Sequence, residues 1–250
     1  MKFKKAELTT KQIVGLIILI TSFAVILFFI FSLNLGETNN KEICHNSVVL
    51  ASKNKFGASL DCRTNYVCIS AGGKCESFDS DETIKVELGD NEYENKNNVM
   101  KAIAEEMSDC WWMFGEGEVD YIGYNWKLDI AVGTHCGICS VVEFDSVLKE
   151  KYSEGLISYP SFYYFLQTEK KDKAQTYLRY LYGVEDITFI EDKIKEESGI
   201  DLKKIENKDM ISLEGRHLIL TGIKGEEEFV YPYFVKQGSE IICKNFITKA

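Results

Sequence analysis

Cys136 and Cys139 are separated by Gly137 and Ile138, and His135 stands immediately before the first of them. Two thiols at this spacing can serve three ends. They can close on each other as a redox couple, if a helix N-terminus lowers the first thiol's pKa and makes it a nucleophile. They can supply half of a tetrahedral metal site. Or each can bond a distant cysteine and do no chemistry. Geometry decides. Along a strand, residues three apart lie roughly 10 Å from each other and point to opposite faces, whereas a disulfide needs Cα atoms within about 7 Å. The segment "SVVEFD" that follows is rich in β-branched and aromatic residues and favours a strand. Helical spacing through Ile138, Val141, Phe144 and Leu148 is the competing reading. On the strand reading, Cys136 and Cys139 reach different partners, and Cys110 is a candidate mate.

"CGIC" is similar to the thioredoxin-like redox motif over those four residues only. Such sites carry a facing cis-proline, and of the two prolines here, Pro160 and Pro232, Pro232 in "VYPYF" is the one placed to serve. A redox pair of Cys136 and Cys139 therefore stays as the alternative. A zinc site would want a second CxxC or an HxxxH. His45, His135 and His217 are scattered, so no metal and no cofactor is expected. "DSDET" at 79–83 fails as a calcium loop, because Ile84 and Asp90 stand where glycine and glutamate are required. Glu116, Glu118 and Asp120 gather beside Gly115 and Gly117, and paired carboxylates are the tools of glycoside hydrolysis. No nucleophile or base accompanies them, so no catalytic residue is assigned. "DCWWMF" offers an aromatic floor for a pocket, but Trp111 lies on an apolar stripe and reads first as core. Gly-rich phosphate loops and GxSxG are absent.

The elements around these residues begin with an apolar run. Ile13–Leu33 carries no charge over 21 residues, enough helix to span the roughly 30 Å hydrocarbon core of a bilayer. A cleavable leader would be shorter and end in small-x-small; here "NLGETNN" follows, so an uncleaved signal anchor is expected. Four lysines against Glu7 give residues 1–33 a charge of +3, and with −10 overall the rest carries −13. That asymmetry places the N-terminus in the cytoplasm and the remainder outside the cell membrane. All eight cysteines (Cys44, Cys62, Cys68, Cys75, Cys110, Cys136, Cys139 and Cys243) follow the run, as disulfides in an oxidising compartment would. The acidic remainder excludes nucleic acid as a partner. Gly15, Thr21, Ser22 and Ala24 form a small-residue stripe for self-association through the span, though GxxxG is missing.

The expected organisation is a cytoplasmic tail (1–12), a transmembrane helix (13–33), a stalk (34–55) and one extracytoplasmic α+β domain (56–250) reinforced by disulfides. "LDCRTNYVCIS" and "TIKVEL" read as strands. Asn98 opens a helix with Val99, Ile103, Met107, Trp111 and Phe114 on one face, Glu105, Glu106 and Asp109 off it, and Gly115 as its stop. "VDYIGYNWKLDIAV" and "CSVVEFD" read as strands. Helices follow over 159–182, ending at Gly183, and over 187–198. "MISLEG", "RHLILTGIKG", "EEFVYPYFVKQ" and "SEIICKNFI" read as a C-terminal antiparallel set with a turn at Lys224-Gly225.

"MKFKKAELTTKQIVGLIILITSF" resembles archaeal type IV pilin-like signal segments, with Lys5-Ala6 at the cleavage-like position, although the early acidic residue of such helices is missing. The pieces "DCRTNYVC", "EEMSDCWWMFGEG" and "CGICSVVEFD" resemble single-pass membrane proteins of archaea. The first resemblance implies a pilin-like assembly subunit. The second implies a location and no activity. Together these observations point to a membrane-anchored extracytoplasmic binding or scaffolding protein, with the bilayer and a protein outside the cell as partners. A tethered thiol–disulfide oxidoreductase is the enzymatic alternative.

Overall fold

The computed structural model describes residues 10–32, 40–53, 60–122, 133–152, 157–203, 210–224 and 228–249. The chain forms two compact units, Met1–Asn39 and Asn40–Ala250. The first contains helix α1 (Thr10–Ser32). Its large apolar side chains between Ile13 and Phe28 are exposed, apart from half-buried Leu27. The Thr21 and Ser22 hydroxyls donate to the carbonyls of Ile18 and Leu19, at 3.0 and 2.9 Å. Among the described residues no helix is long and apolar enough to cross a membrane; side chains of α1 are described from Ile13 to Phe28, about 24 Å of helix.

The second unit is α+β. In order it comprises α2 (Asn40–Lys53), β1 (Asn65–Ser70), β2 (Glu82–Lys85), α3 (Glu92–Met113), β3 (Thr134–Phe144), α4 (Ser146–Lys151), β4 (Ile157–Ser158), α5 (Tyr159–Thr168), α6 (Tyr177–Tyr182), α7 (Glu191–Ser198), β5 (Met210–Ile211), β6 (His217–Lys224), β7 (Glu228–Lys236) and β8 (Asn245–Phe246). Five strands run in the order β2-β1-β3-β6-β7, and β8 joins beside β3. The sheet is mixed: β1 is parallel to β2 and β3, while β3–β6 and β6–β7 are antiparallel. Helix α2, within the expected stalk, belongs to the second unit and buries Cys44 and Val48 in its core.

Helix α3 positions the site. Val99, Ile103, Met107, Trp111 and Phe114 are all buried, as their spacing requires. It starts at Glu92, six residues before Asn98, because Asn91 caps it by accepting the Tyr93 N–H at 3.0 Å. Glu92 and Glu94 then complement the positive end of the helix. Asn95 ties the preceding loop down, exchanging two hydrogen bonds with the Gly89 backbone.

The C-terminal strands are not one antiparallel set. Only β6 and β7 form such a pair; β5 pairs with β4 in a separate ribbon, and β8 runs parallel to β3 at His135 and Cys136. The last segment is drawn along β3 by backbone bonds from Lys244 to Thr134 and from Ile247 to Cys136. The expected strand over 119–132 and turn at Lys224-Gly225 fall largely outside the described residues; Val119–Ile122 is not strand.

Candidate functional site

The four disulfides are Cys44–Cys62, Cys68–Cys75, Cys110–Cys139 and Cys136–Cys243. Cys136 and Cys139 thus do not form a redox couple with each other, and the oxidoreductase reading is corrected accordingly. Both lie on β3, whose register with β6 shifts between Ile138 and Ser140. This bulge opposes an extra residue to one partner and turns Cys139 and Ser140 alike toward α3. Cys139 bonds Cys110 there, with Cα atoms 5.4 Å apart, and the Ser140 hydroxyl donates to Glu106 at 2.8 Å. Cys136 faces the other way, to Cys243, with Cα atoms 5.7 Å apart. Gly137 between them is required by close approach: a Cβ there would lie 2.1 Å from the Phe114 ring.

Next to this bridge is a buried ion cluster. The Lys41 ammonium on α2 lies 2.6 Å from Glu106, 2.7 Å from Asp109 and 3.0 Å from Glu82. Lys41 and Glu106 are only 6% and 2% exposed, which corrects the placement of Glu106 on the polar face of α3. Burial alone would lower the Lys41 pKa, but the carboxylates of Glu106 and Asp109 outweigh it and hold it above its ordinary value. Burial raises the Glu106 carboxyl, against the pull of Lys41. The cluster joins α2, α3, β2 and β3: Lys41 and Glu106 are sealed inside, Asp109 and Glu82 stay about half exposed on its outer side, and all three carboxylates are engaged by the one ammonium, so its role is to clasp.

An open cleft begins where this stretch ends, at Trp111 in the last turn of α3. A cleft of about 370 Å³ is lined by Trp111, Glu116, Gly117, Tyr180, Tyr182, Gly183, Lys193, Glu228, Phe229 and Tyr231. Its rim is unusual backbone. Gly115, Glu116 and Gly117 have φ of 77°, 57° and 74°, a single left-handed turn, closed by the Glu118 N–H on the Gly115 carbonyl at 2.9 Å. Among the described residues Glu116 is the only non-glycine with positive φ. Such a conformation costs about 1–2 kcal/mol, and held strain of this kind clusters at functional sites. The turn presents Glu116 to Tyr180, whose hydroxyl donates to it at 2.5 Å. Burial, then the Glu116 carboxylate, pushes the Tyr180 hydroxyl above its ordinary range, so it stays a donor.

The opposite wall is aromatic and braced from behind. The Tyr182 hydroxyl donates to the Pro232 carbonyl at 2.9 Å. Behind Tyr231, the Tyr233 hydroxyl donates to buried Glu197 at 2.6 Å. Lys193 Nζ sits 3.6 Å from Glu197 and 4.6 Å from the centroid of the Tyr231 ring. Burial raises the Glu197 carboxyl, while the Tyr233 hydroxyl and Lys193 work against the shift.

Two features singled out in the sequence thus meet. Trp111 packs in the core and also floors the cleft, and Glu116 stands on its rim. Glu118 and Asp120 do not line it, and Asp120 instead accepts the Ile122 N–H at 3.1 Å. Lys193, Glu228 and the tyrosines come from segments that carry no motif. Their sequence signal is the density of aromatic residues in "YLRYLYG" and "EFVYPYF". Among the described residues no cluster of His, Cys, Asp or Glu could hold a metal ion. Comparisons with protein-family models, curated proteins and solved structures each return no match.

Proposed function

We propose that the chain is a membrane-anchored extracytoplasmic binding protein, and that the aromatic cleft is its binding site. The observation that carries the reading is Glu116, held in a left-handed turn at the rim of a pocket walled by tyrosines. A concave site that combines apolar and aromatic walls with a few placed polar groups is the usual form of a ligand pocket. The anchor is supported by the uncharged run Ile13–Leu33 behind a +3 tail. The back-bonded hydroxyls of Thr21 and Ser22 suit a hydrocarbon surrounding. Four disulfides support an oxidising compartment. Partners in this reading are the bilayer, a ligand or protein presented outside the cell, and a second copy through the membrane helix.

Two measurements test it. Membrane-impermeant protease added to intact cells is expected to digest residues 40–250 and spare an N-terminal tag; full protection would overturn the location. A photo-crosslinking residue in place of Phe229 in the cleft is expected to capture a ligand that one at exposed Leu50 does not. Equal labelling at both would remove the cleft from the reading.

A further inference from the structure

We infer that the cleft is a seat for an organic ammonium group, and that the Lys193 side chain is the chain's own plug in that seat. This rests on the binding reading above and names the ligand class. The ring geometry comes first. Tyr231 meets Tyr182 at 5.0 Å and 58°, and Trp111 at 6.2 Å and 50°. Rings inclined at such angles make a corner. A sugar ring stacks best on one flat, open face, and Trp111 as a whole is only 7% exposed, with Gly117 against its edge. Tyr182 is buried like Trp111, so Tyr231 offers the accessible ring of this corner, and a compact cation, unlike a sugar, needs no wider face.

The second observation is that a cation already sits there. Lys193 Nζ lies 4.6 Å from the Tyr231 centroid, inside the roughly 6 Å over which an ammonium is drawn to a ring face. Lys171 Nζ lies 4.3 Å from the centroid of Tyr180, another lining residue. These aromatic surfaces are therefore used for cations within the fold itself. The third is charge. Glu116 and Glu228 stand exposed at the cleft, and the whole chain carries −10. Both draw cations inward.

Lys193 is held lightly enough to leave. Its side chain is 36% exposed and its ion pair with Glu197 is long, at 3.6 Å. Buried Glu197 has the Tyr233 hydroxyl at 2.6 Å as a second partner, and the incoming ammonium supplies the counter-charge that Lys193 takes away. An incoming ammonium then replaces the lysine over Tyr231 like for like.

The test uses the full chain in nanodiscs of phosphatidylglycerol, a lipid without choline or amine, with calorimetric titration. The probes are choline, n-butylammonium, the uncharged choline isostere 3,3-dimethylbutan-1-ol, and maltohexaose. An ammonium probe is expected to bind, with the isostere about ten-fold weaker. Lys193→Gln is expected to tighten that binding about five-fold, and Glu228→Gln, at an exposed position where folding is not at risk, to weaken it about three-fold. Tyr231→Leu is expected to abolish it. Equal binding of the isostere, or no gain from Lys193→Gln, would overturn the inference. If maltohexaose binds and Tyr231→Leu abolishes that, the ammonium seat falls while the cleft stands as a binding site. If no probe binds, the ammonium seat falls, and crosslinking at position 229 decides the cleft separately.

Discussion

Between Glu106 and Cys110, α3 is bolted to its neighbours; from Trp111 onward it borders an open cleft. The bolted stretch holds Lys41 among three carboxylates and carries the Cys110 bridge to β3. The cleft has no cysteine in its lining, one residue in a strained conformation, and charges that stay partly wet. The difference follows from desolvation. A buried charge must be compensated in full, and a compensated charge has nothing left to offer a ligand. Exposed groups such as Glu116 and Glu228 keep their bonding capacity. The bolted turns hold the end of the helix so that the residues following them can present a preformed site.

The sharpest way to break this contrast is to remove the cation from the seam. Lys41→Met would leave Glu106 buried with the Ser140 hydroxyl and no counter-charge. The expected loss is about 3–5 kcal/mol of unfolding free energy, read from denaturant titration. Adding Glu106→Gln should recover most of it, since a neutral amide can still meet Ser140. A loss below about 1 kcal/mol would mean that the cluster is solvated like an ordinary surface pair. Next in size is the covalent tie. Cys110→Ala with Cys139→Ala opens a loop of 29 residues and is expected to cost about 3–4 kcal/mol in the chain-entropy account. Near-ultraviolet dichroism of the cleft aromatics should persist below the new midpoint, and its loss would show that the two regions are not separable.

Legibility in the sequence divides along the same line. The apolar stripe of α3 and the stop at Gly183 are readable because period and positive φ are local properties. The divergence of Cys136 and Cys139 is readable from the pleat of a strand, but the bulge that turns Ser140 to α3 with Cys139 is not. Glu106 reads as solvated because its partner Lys41 lies 65 residues away in a segment that looks like a stalk. β8 reads as antiparallel because two residues carry no directional signal, and the Cys136–Cys243 bridge supplies what the pattern lacks. The pair of glycines around Glu116 is visible in the sequence, yet its meaning depends on Tyr180 and Tyr231, which arrive from other elements.

A buried titratable group without a counter-charge should behave oppositely to Lys41. His217 on β6 is 1% exposed, stacked on Phe234 at 4.8 Å, and neither ring nitrogen has a hydrogen-bond partner of normal geometry. Burial, with the Lys236 charge across the β6–β7 pair, lowers its pKa from 6.5 to about 4. The folded state therefore favours the neutral ring. Its contribution is fully present above pH 6.5 and is lost as pH falls toward 4, about 3 kcal/mol in all. Melting temperature should drop across that window, and His217→Leu should flatten the drop. An unchanged slope in His217→Leu would assign the acid sensitivity to other groups.

The smallest effect expected is the most telling about the cleft. Glycine adopts left-handed backbone freely, so Glu116→Gly would release the strain at φ 57°. It would also delete an exposed acceptor of the Tyr180 hydroxyl, which water can replace. The net expectation is a gain of about 0.5–1 kcal/mol in thermal or denaturant unfolding, together with weaker ligand retention at the cleft. A stabilised protein that binds as before would make the strain an accident of the turn. A destabilised one would mean that the Tyr180 contact holds the rim more firmly than an exposed hydrogen bond should. Stabilisation coupled to weaker binding is the signature of a site for which stability has been given up in exchange for a fixed carboxylate.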